Sequence, residues 1–202
     1  MVEGSANSTV ITINNLSPSP GQYPLISYTS LGGAAGFAGL RVQAPLGTSA
    51  ALVNNTTAYP YTIDVVITAD QLVWNGDKND DWNIGLTANW KNNTFYTESG
   101  GVGKRVLFDD TATGSGSVVL TTLLSPLGTT VQNASKTYTF TGSGSLTGIG
   151  GLNKQGSGTL ILAQTGENSY DGTTAVGAGG KLQVGNGGTT GSLGTGPVSV
   201  DG

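Results

Sequence analysis

The stretch SVVLTTLLSPLGTTVQNASKTYTFTGSGSLTGIGGLNKQGSGTLILAQTGENSYDGTTAVGAGGKLQV, residues 117–184, is the most informative part of the sequence because its apolar residues recur at nearly equal intervals. Four similar strands are spaced 21, 21 and 22 residues apart and begin at Ser117, Tyr138, Thr159 and Lys181. A second apolar series falls between them, at Val131, Leu152, Val176 and Val198. Two interleaved series with a shared period predict a coil with two strands per turn, each stacked on its counterpart in the next turn.

The local composition of the chain supports this interpretation. β-Branched residues, tyrosine and leucine come in short runs separated by Gly, Asn, Ser and Asp, a pattern typical of short strands and turns. Glycine accounts for 34 of the 202 residues and clusters beside the periodic strands, where a coil must turn sharply. The sequence therefore predicts an all-β fold, a parallel β-helix or β-solenoid with about 21–22 residues per coil.

Several classes of function are excluded by composition. The chain has no histidine and no cysteine, which rules out Ser-His-Asp triads, His-ligated zinc, disulfides and thiol nucleophiles. Eight Lys and Arg against twelve Asp and Glu leave no basic surface for a nucleic acid. No apolar run approaches the length of a membrane-spanning helix, so we expect no membrane insertion by this segment.

Three motifs near the end of the chain carry a family resemblance. They are GLNKQGSGTLIL at Gly151–Leu162, NSYDGTT at Asn168–Thr174 and LQVG at Leu182–Gly185. In this order they closely resemble the autotransporter-associated β-strand repeat of bacterial passenger domains and giant surface proteins. The resemblance implies a right-handed parallel β-helix located outside the cell.

The same resemblance divides the chain into three segments. Residues 70–110 are similar to the Trp-rich segment that opens a long repeat of this kind, and residues 1–69 are similar to a segment that closes one. Residues 111–202 hold the regular coils. We interpret the three segments as one continuous solenoid domain, which either straddles a repeat junction or is a unit whose ends complement one another.

An acidic loop is a candidate metal site. Asp77, Asn79 and Asp81 stand at the first, third and fifth positions of a calcium-loop pattern. Trp82 occupies the sixth position, where an EF-hand needs glycine, and Ala88 the twelfth, where it needs glutamate. An EF-hand is therefore excluded. We expect a solvated turn without a cofactor, and an irregular calcium site is the alternative.

Trp74, Trp82 and Trp90 recur every eight residues around this loop. Two interpretations are open. The rings bury a large apolar area and close one end or side of the coil, or their faces stack on a sugar beside the Asn and Asp side chains. We expect the first role and keep glycan contact as the alternative.

An enzyme of the polysaccharide-degrading β-helix type needs grouped carboxylates on one face, about 5–10 Å apart. Asp109 and Asp110 are adjacent and should point to opposite faces of a strand. Asp64 is isolated, and Lys154 is interpreted as a surface residue. We therefore predict no catalytic activity.

The two ends of the predicted solenoid are strand-like and carry no cap. Val10 and Ile13 mark one edge, and Val198 and Val200 mark the other. Because the edges are different surfaces, contact between them would be heterologous and would propagate copies head to tail, or would join adjacent repeats of a parent chain. We expect a non-enzymatic extracellular structural module that builds a stalk or filament on a bacterial surface, with a glycan-binding adhesin as the alternative.

Overall fold

The computed structural model describes residues 9–12, 21–32, 35–43, 48–69 and 71–201. The chain forms two compact units, Met1–Asp70 and Gln71–Gly202. Helical structure in the described ranges is limited to two short 3-10 turns, Gly36–Gly39 and Lys91–Asn93. Within those ranges, no helix has the length and apolar character needed to span a membrane.

In its described residues, the first unit contains two small sheets. Its strands are β1 (Thr9–Thr12), β2 (Gly21–Tyr28), β3 (Leu40–Gln43), β4 (Thr48–Asn55) and β5 (Tyr61–Ala69). Strand β5 lies between β2 and β4 and is antiparallel to both, whereas β1 pairs with β3 in parallel. The resemblance implied that residues 1–69 close a solenoid, and this expectation is wrong for the antiparallel sheet. Only five residues connect β4 to β5, and so short a connection permits a hairpin but no parallel crossover.

The second unit is the β-solenoid that the periodicity predicted. Its described strands are β6 (Gln71–Val73), β7 (Asp81–Trp82), β8 (Glu98–Ser99), β9 (Val102–Asp109), β10 (Ser117–Leu120), β11 (Leu123–Leu124), β12 (Pro126–Gln132), β13 (Thr137–Thr141), β14 (Ser145–Leu146), β15 (Leu152–Gln155), β16 (Thr159–Leu162), β17 (Thr174–Val176), β18 (Lys181–Val184) and β19 (Val198–Val200). Two parallel sheets run along it. The first has the order β18-β16-β13-β10-β7, and the second has the order β19-β17-β15-β12-β9-β6.

The strands stack in a constant register along the first sheet. Thr137 lies beside Thr159, and Thr159 lies beside Lys181, so each coil advances by 22 residues. The structure adds a short third sheet that the two-strand pattern did not predict, in which β11 pairs with β14. In the next coil no strand forms at the corresponding position, but Ser169 still contacts the sheet, because its backbone N–H donates to the Leu146 carbonyl at 2.8 Å.

The core follows from the two-residue alternation of side chains along each strand. In β16, Leu160 and Leu162 are fully buried while Thr159 and Ile161 are only partly covered. Because every coil repeats the register, the inward residues form columns that run from coil to coil. One column contains Val118, Phe140, Leu162 and Val184.

Glycine is required at the corner between β15 and β16. Gly156 has φ of +70°, a backbone conformation that side-chain-bearing residues rarely adopt. A Cβ at Gly158 would lie 2.6 Å from the Asn133 amide nitrogen in the coil below. The corner glycines therefore permit both the turn and the close approach of successive coils.

Candidate functional site

Lys154 of the GLNKQG motif lies inside the solenoid. It occupies a column of the second sheet between Val131 and Val176, and its side chain is fully buried. Its ammonium group donates to the backbone carbonyls of Gln155 and Gly156 at 2.6 and 2.8 Å. The interpretation of Lys154 as a surface residue is therefore wrong. Lys154 stands two residues after the inward Leu152, so its side chain points to the same face of β15.

The environment of Lys154 suits a structural cation. Burial lowers the pKa of its ammonium group, while the negative charge of Asp110 acts in the opposite direction. The two carbonyls that accept its hydrogen bonds belong to the corner at Gly156. The long side chain thus fills apolar space with its methylene groups and satisfies a turn with its charged end.

Asn168, the first residue of the NSYDGTT motif, connects three successive coils. Its Oδ1 accepts a hydrogen bond from the Leu146 N–H at 2.8 Å in the coil below. Its Nδ2 donates to the Ser192 carbonyl at 2.8 Å in the coil above, and its own backbone N–H donates to Ser192 Oγ at 2.7 Å. This buried amide satisfies backbone groups at a position where no strand forms.

Two further polar residues of that motif pair with each other. The hydroxyl groups of Tyr170 and Thr174 are hydrogen bonded at 2.7 Å in the interior. A Cβ at Gly172 would lie 2.5 Å from the carbonyl carbon of Gly150. The motif residues therefore act in stacking one coil on the next.

The three tryptophans form the core of the first coil. Trp74, Trp82 and Trp90 have exposed fractions of 0, 0 and 1 %. Trp90 packs edge-on against both other indoles at centroid distances of 5.2 and 5.6 Å, and Phe108 contacts all three. A sugar has no access to these ring faces, so the alternative of glycan contact at these residues is wrong.

The acidic loop is held by amide hydrogen bonds. Asn79 Oδ1 accepts from Asn89 Nδ2 at 2.6 Å and from the Asp81 N–H at 3.0 Å, and Asn79 Nδ2 donates to Asp81 Oδ2 at 3.1 Å. Asp77 pairs with the neighbouring Lys78 at 3.1 Å on the surface. Among the described residues there is no group of three acidic side chains placed to hold a metal ion. The sequence pattern alone did not indicate Asn89, which organises this loop.

Asp109 and Asp110 serve turns in the solenoid. The Asp109 carboxylate accepts from the Thr111 N–H at 2.9 Å. Asp110 accepts backbone N–H groups of Ala134, at 2.7 Å, and Lys136, at 2.8 Å, in the next coil. These hydrogen bonds, first that of Lys136, lower the pKa of Asp110 to about 2.

The two ends of the solenoid differ in how well the inward residues are covered. At the first end, Leu72 of β6 and Trp82 of β7 are buried. At the last end, Val184 of β18 is 48 % exposed, and Val198 and Val200 of β19 are 55 and 68 % exposed. A shallow cavity of about 440 Å³ opens there beside Leu182 and Val200.

Backbone groups are exposed at the same end. The Thr174 N–H donates to the Pro197 carbonyl and the Asp201 N–H donates to the Val176 carbonyl, so residues 197 and 201 face β17. Along a strand, the backbone groups of successive residues point alternately to the two neighbouring strands. Because residues 197 and 201 face β17, the N–H groups of Val198 and Val200 point away from it. The last coil therefore presents both apolar side chains and strand donors.

The opposite edge predicted at Val10 and Ile13 needs correction. Val10 belongs to β1, which pairs with β3 in the first unit and is not a solenoid strand. Ile13 lies outside the described residues. The first strands of the two solenoid sheets are instead β6 and β7.

Comparison with known proteins agrees with the motifs. Residues 152–184 match the model of the passenger-associated-transport-repeat family. No curated protein and no solved structure matches the chain. The matched range covers β15 to β18 and includes Lys154, Asn168 and the Tyr170–Thr174 pair. Residues 152–184 are therefore similar to a repeat of the passenger-associated-transport-repeat family, which confirms the predicted resemblance to autotransporter-associated repeats.

Proposed function

We propose that this chain is a non-enzymatic structural module of a secreted or surface-exposed bacterial protein, and that its solenoid is lengthened by a further coil stacked on β18 and β19. A passenger-associated repeat implies a secreted or surface protein. The observation that carries the proposal is the difference between the ends, with Trp82 fully buried and Val200 68 % exposed. Exposed residues of an inward column need a neighbouring coil to become core.

The coil would be supplied by an adjacent repeat of a parent chain. A second copy stacking head to tail would have to present its β6 and β7 end, where Trp90 and Tyr96 already pack against Trp82. The inward residues Leu72 and Trp82 at that end are already buried, so their columns have little apolar surface left to pack on Val184 and Val198. The difference between the ends favours growth in one direction over filaments of separate copies.

Adding one coil tests the proposal. A copy of residues 181–201 placed directly after Gly202 begins 22 residues after Lys181, which matches the register of the first sheet. We expect a higher melting temperature and new protection from hydrogen exchange at Val184 and Val198. An added coil that stays unprotected and leaves the melting temperature unchanged would overturn the proposal.

Val198→Pro is the matched control. It removes an N–H that faces away from β17, so it should leave the unextended chain stable and abolish most of the gain in the extended chain. Ser199→Pro should destabilise both the unextended and the extended chain, because the N–H of residue 199 points towards β17 and proline removes it. Sedimentation across a concentration series should show that the unextended chain is monomeric. Filaments would mean that a second copy of the chain, and not an adjacent repeat, stacks on β18 and β19.

A further inference from the structure

The first unit contains a cavity of about 560 Å³ on one face of its antiparallel sheet. Its polar lining comes from all three strands, through Gln22 of β2, Asn55 of β4, and Thr62 and Asp64 of β5. Alternation along β5 places Thr62 and Asp64 on the face opposite the buried Ile63. The sheet therefore keeps one apolar face and one face with a polar cavity.

Asp64 is the central polar residue of this cavity. It is only 3 % exposed, and three neutral donors hold its carboxylate. Thr62 Oγ1 donates to Oδ1 at 2.5 Å, while Gln22 Nε2 and Asn55 Nδ2 donate to Oδ2 at 2.6 and 2.9 Å. These hydrogen bonds, first that of Thr62, lower the pKa of Asp64, so the carboxylate is charged at neutral pH.

The chemistry of the cavity suits a ligand that both donates and accepts hydrogen bonds. A carboxylate has about four lone-pair sites, and the three donors use three of them. Each amide nitrogen carries a second hydrogen beyond the one that it donates to Asp64. An ammonium group can only donate, whereas a sugar hydroxyl donates to a carboxylate and accepts from an amide.

The walls and the rim add apolar surface. Pro24, Ala58 and Pro60 line the cavity, and the neighbouring Tyr59 ring is 70 % exposed. A concave site with apolar walls and a few convergent polar groups is the usual form of a small-molecule site. The C–H faces of a pyranose ring can pack on such walls while its hydroxyls reach the carboxylate.

We propose that the cavity around Asp64 binds a neutral saccharide, with Asp64, Gln22 and Asn55 as its hydrogen-bonding residues. This inference stands apart from the solenoid proposal, because every residue in it belongs to the first unit. The planar carboxylate and amides hold one another in place before a ligand arrives. They therefore lose little conformational freedom on binding.

Binding is tested on the full chain with a panel of neutral mono- and disaccharides, by titration calorimetry and saturation-transfer NMR. We expect at least one sugar to saturate the wild-type protein. Asp64→Asn replaces a charged acceptor by a neutral amide and should weaken its binding by about tenfold or more. Ala58→Trp places a large ring in the cavity while leaving every residue of the carboxylate network in the chain, and it should abolish binding.

Asp77→Asn makes the same chemical change on an exposed loop of the second unit and should leave the affinity unchanged. Circular dichroism of each variant checks that the fold is retained. Saturable binding of spermidine in place of every sugar would overturn the assignment of a neutral saccharide. Failure of all sugars to bind the folded wild-type chain would overturn the site itself, and the coil-extension experiment would be unaffected.

Discussion

At the scale of single residues, Lys154 shows how a charged side chain contributes to an apolar column. Val131 and Val176 stack on either side of it, and its ammonium group satisfies two carbonyls of the corner that follows. Burial of an unpaired charge would be costly, so the two hydrogen bonds are a condition for its position. The residue is conspicuous in the sequence as a motif lysine, and its function is to complete the fold.

Substitution of Lys154 should separate its two contributions. Lys154→Ala removes the methylene groups and should lower the free energy of unfolding by about 2–5 kcal/mol. Lys154→Met keeps most of the volume and leaves the carbonyls of Gln155 and Gly156 without their donor, so its loss should be smaller, about 1–3 kcal/mol. Urea unfolding measures both values. The exposed Lys181→Ala is the control, and equal stability of Lys154→Ala and the control would contradict the assignment.

Asp110 should make stability depend on pH in the acid range. Its folded pKa of about 2 lies below the usual value of about 3.9, so its stabilising effect is complete above about pH 4 and is lost as the pH falls through about 2. Asp110→Asn should be less stable than wild type at pH 6, and the difference should shrink towards pH 2. Urea unfolding across this range is the measurement. Asn153→Ala, which changes no titratable side chain, should show no such trend.

At the scale of elements, the side chain of Asn168 joins three coils beyond the point where the third sheet ends. The third sheet ends after β14, and Asn168 continues its hydrogen bonding from Leu146 to Ser192. This explains why an asparagine opens the NSYDGTT motif. Its amide supplies the donor and the acceptor that a pair of strands would supply.

Asn168→Ala should therefore disrupt the contact between coils. It leaves the Leu146 N–H and the Ser192 carbonyl without partners in the interior, which should cost about 1–3 kcal/mol for each buried group. Thermal unfolding should show a clear decrease in melting temperature. Asn153→Ala, on a partly covered outward position of β15, should have an effect within about 0.5 kcal/mol. Similar losses for the two variants would refute the bridging role.

The acidic loop should be independent of calcium. The oxygen of Asn79 already accepts two hydrogen bonds within the loop, so it is engaged without an ion. We expect the same melting temperature with calcium and with a chelator, because a ligand bound only to the folded state would raise it. A decrease with chelator that Asp81→Asn abolishes would establish a metal site at Asp77, Asn79 and Asp81.

At the scale of the whole molecule, the solenoid should be most protected in its middle coils. The Ala163 N–H donates to Phe140 at 2.8 Å, and the Asp201 N–H donates to Val176 at 2.9 Å. The two bonds have similar lengths, but the second lies in the last coil, where Val200 has no neighbour above it among the described residues. Hydrogen exchange should be much slower at Ala163 than at Asp201, since exchange follows local opening. Equal rates would mean that the last coil is as stable as the interior.

Much of this fold could be predicted because a stacked coil has a local code. Leu160 and Leu162 alternate with outward residues, and the same pattern returns one coil later at Leu182 and Val184. Lys154 lies inward despite its charge because it stands two residues after the inward Leu152 on the same strand, and its ammonium group reaches the carbonyls of the next corner. The residues of the Asp64 cavity could not be grouped in advance, since Gln22, Asn55 and Asp64 meet only through the antiparallel register of three strands.

The β-solenoid, its period and the resemblance of residues 152–184 to a known repeat can be derived from the sequence, because each coil repeats the same inward positions at a spacing that can be read directly from the chain. The tertiary structure alone decided that the tryptophans are core residues, that the first sixty-nine residues contain an antiparallel sheet, and that Val198 and Val200 lie at an uncovered end. Periodicity specifies which residues share a face. Whether a face is covered depends on which distant segments pack against it, and local sequence carries no record of that packing.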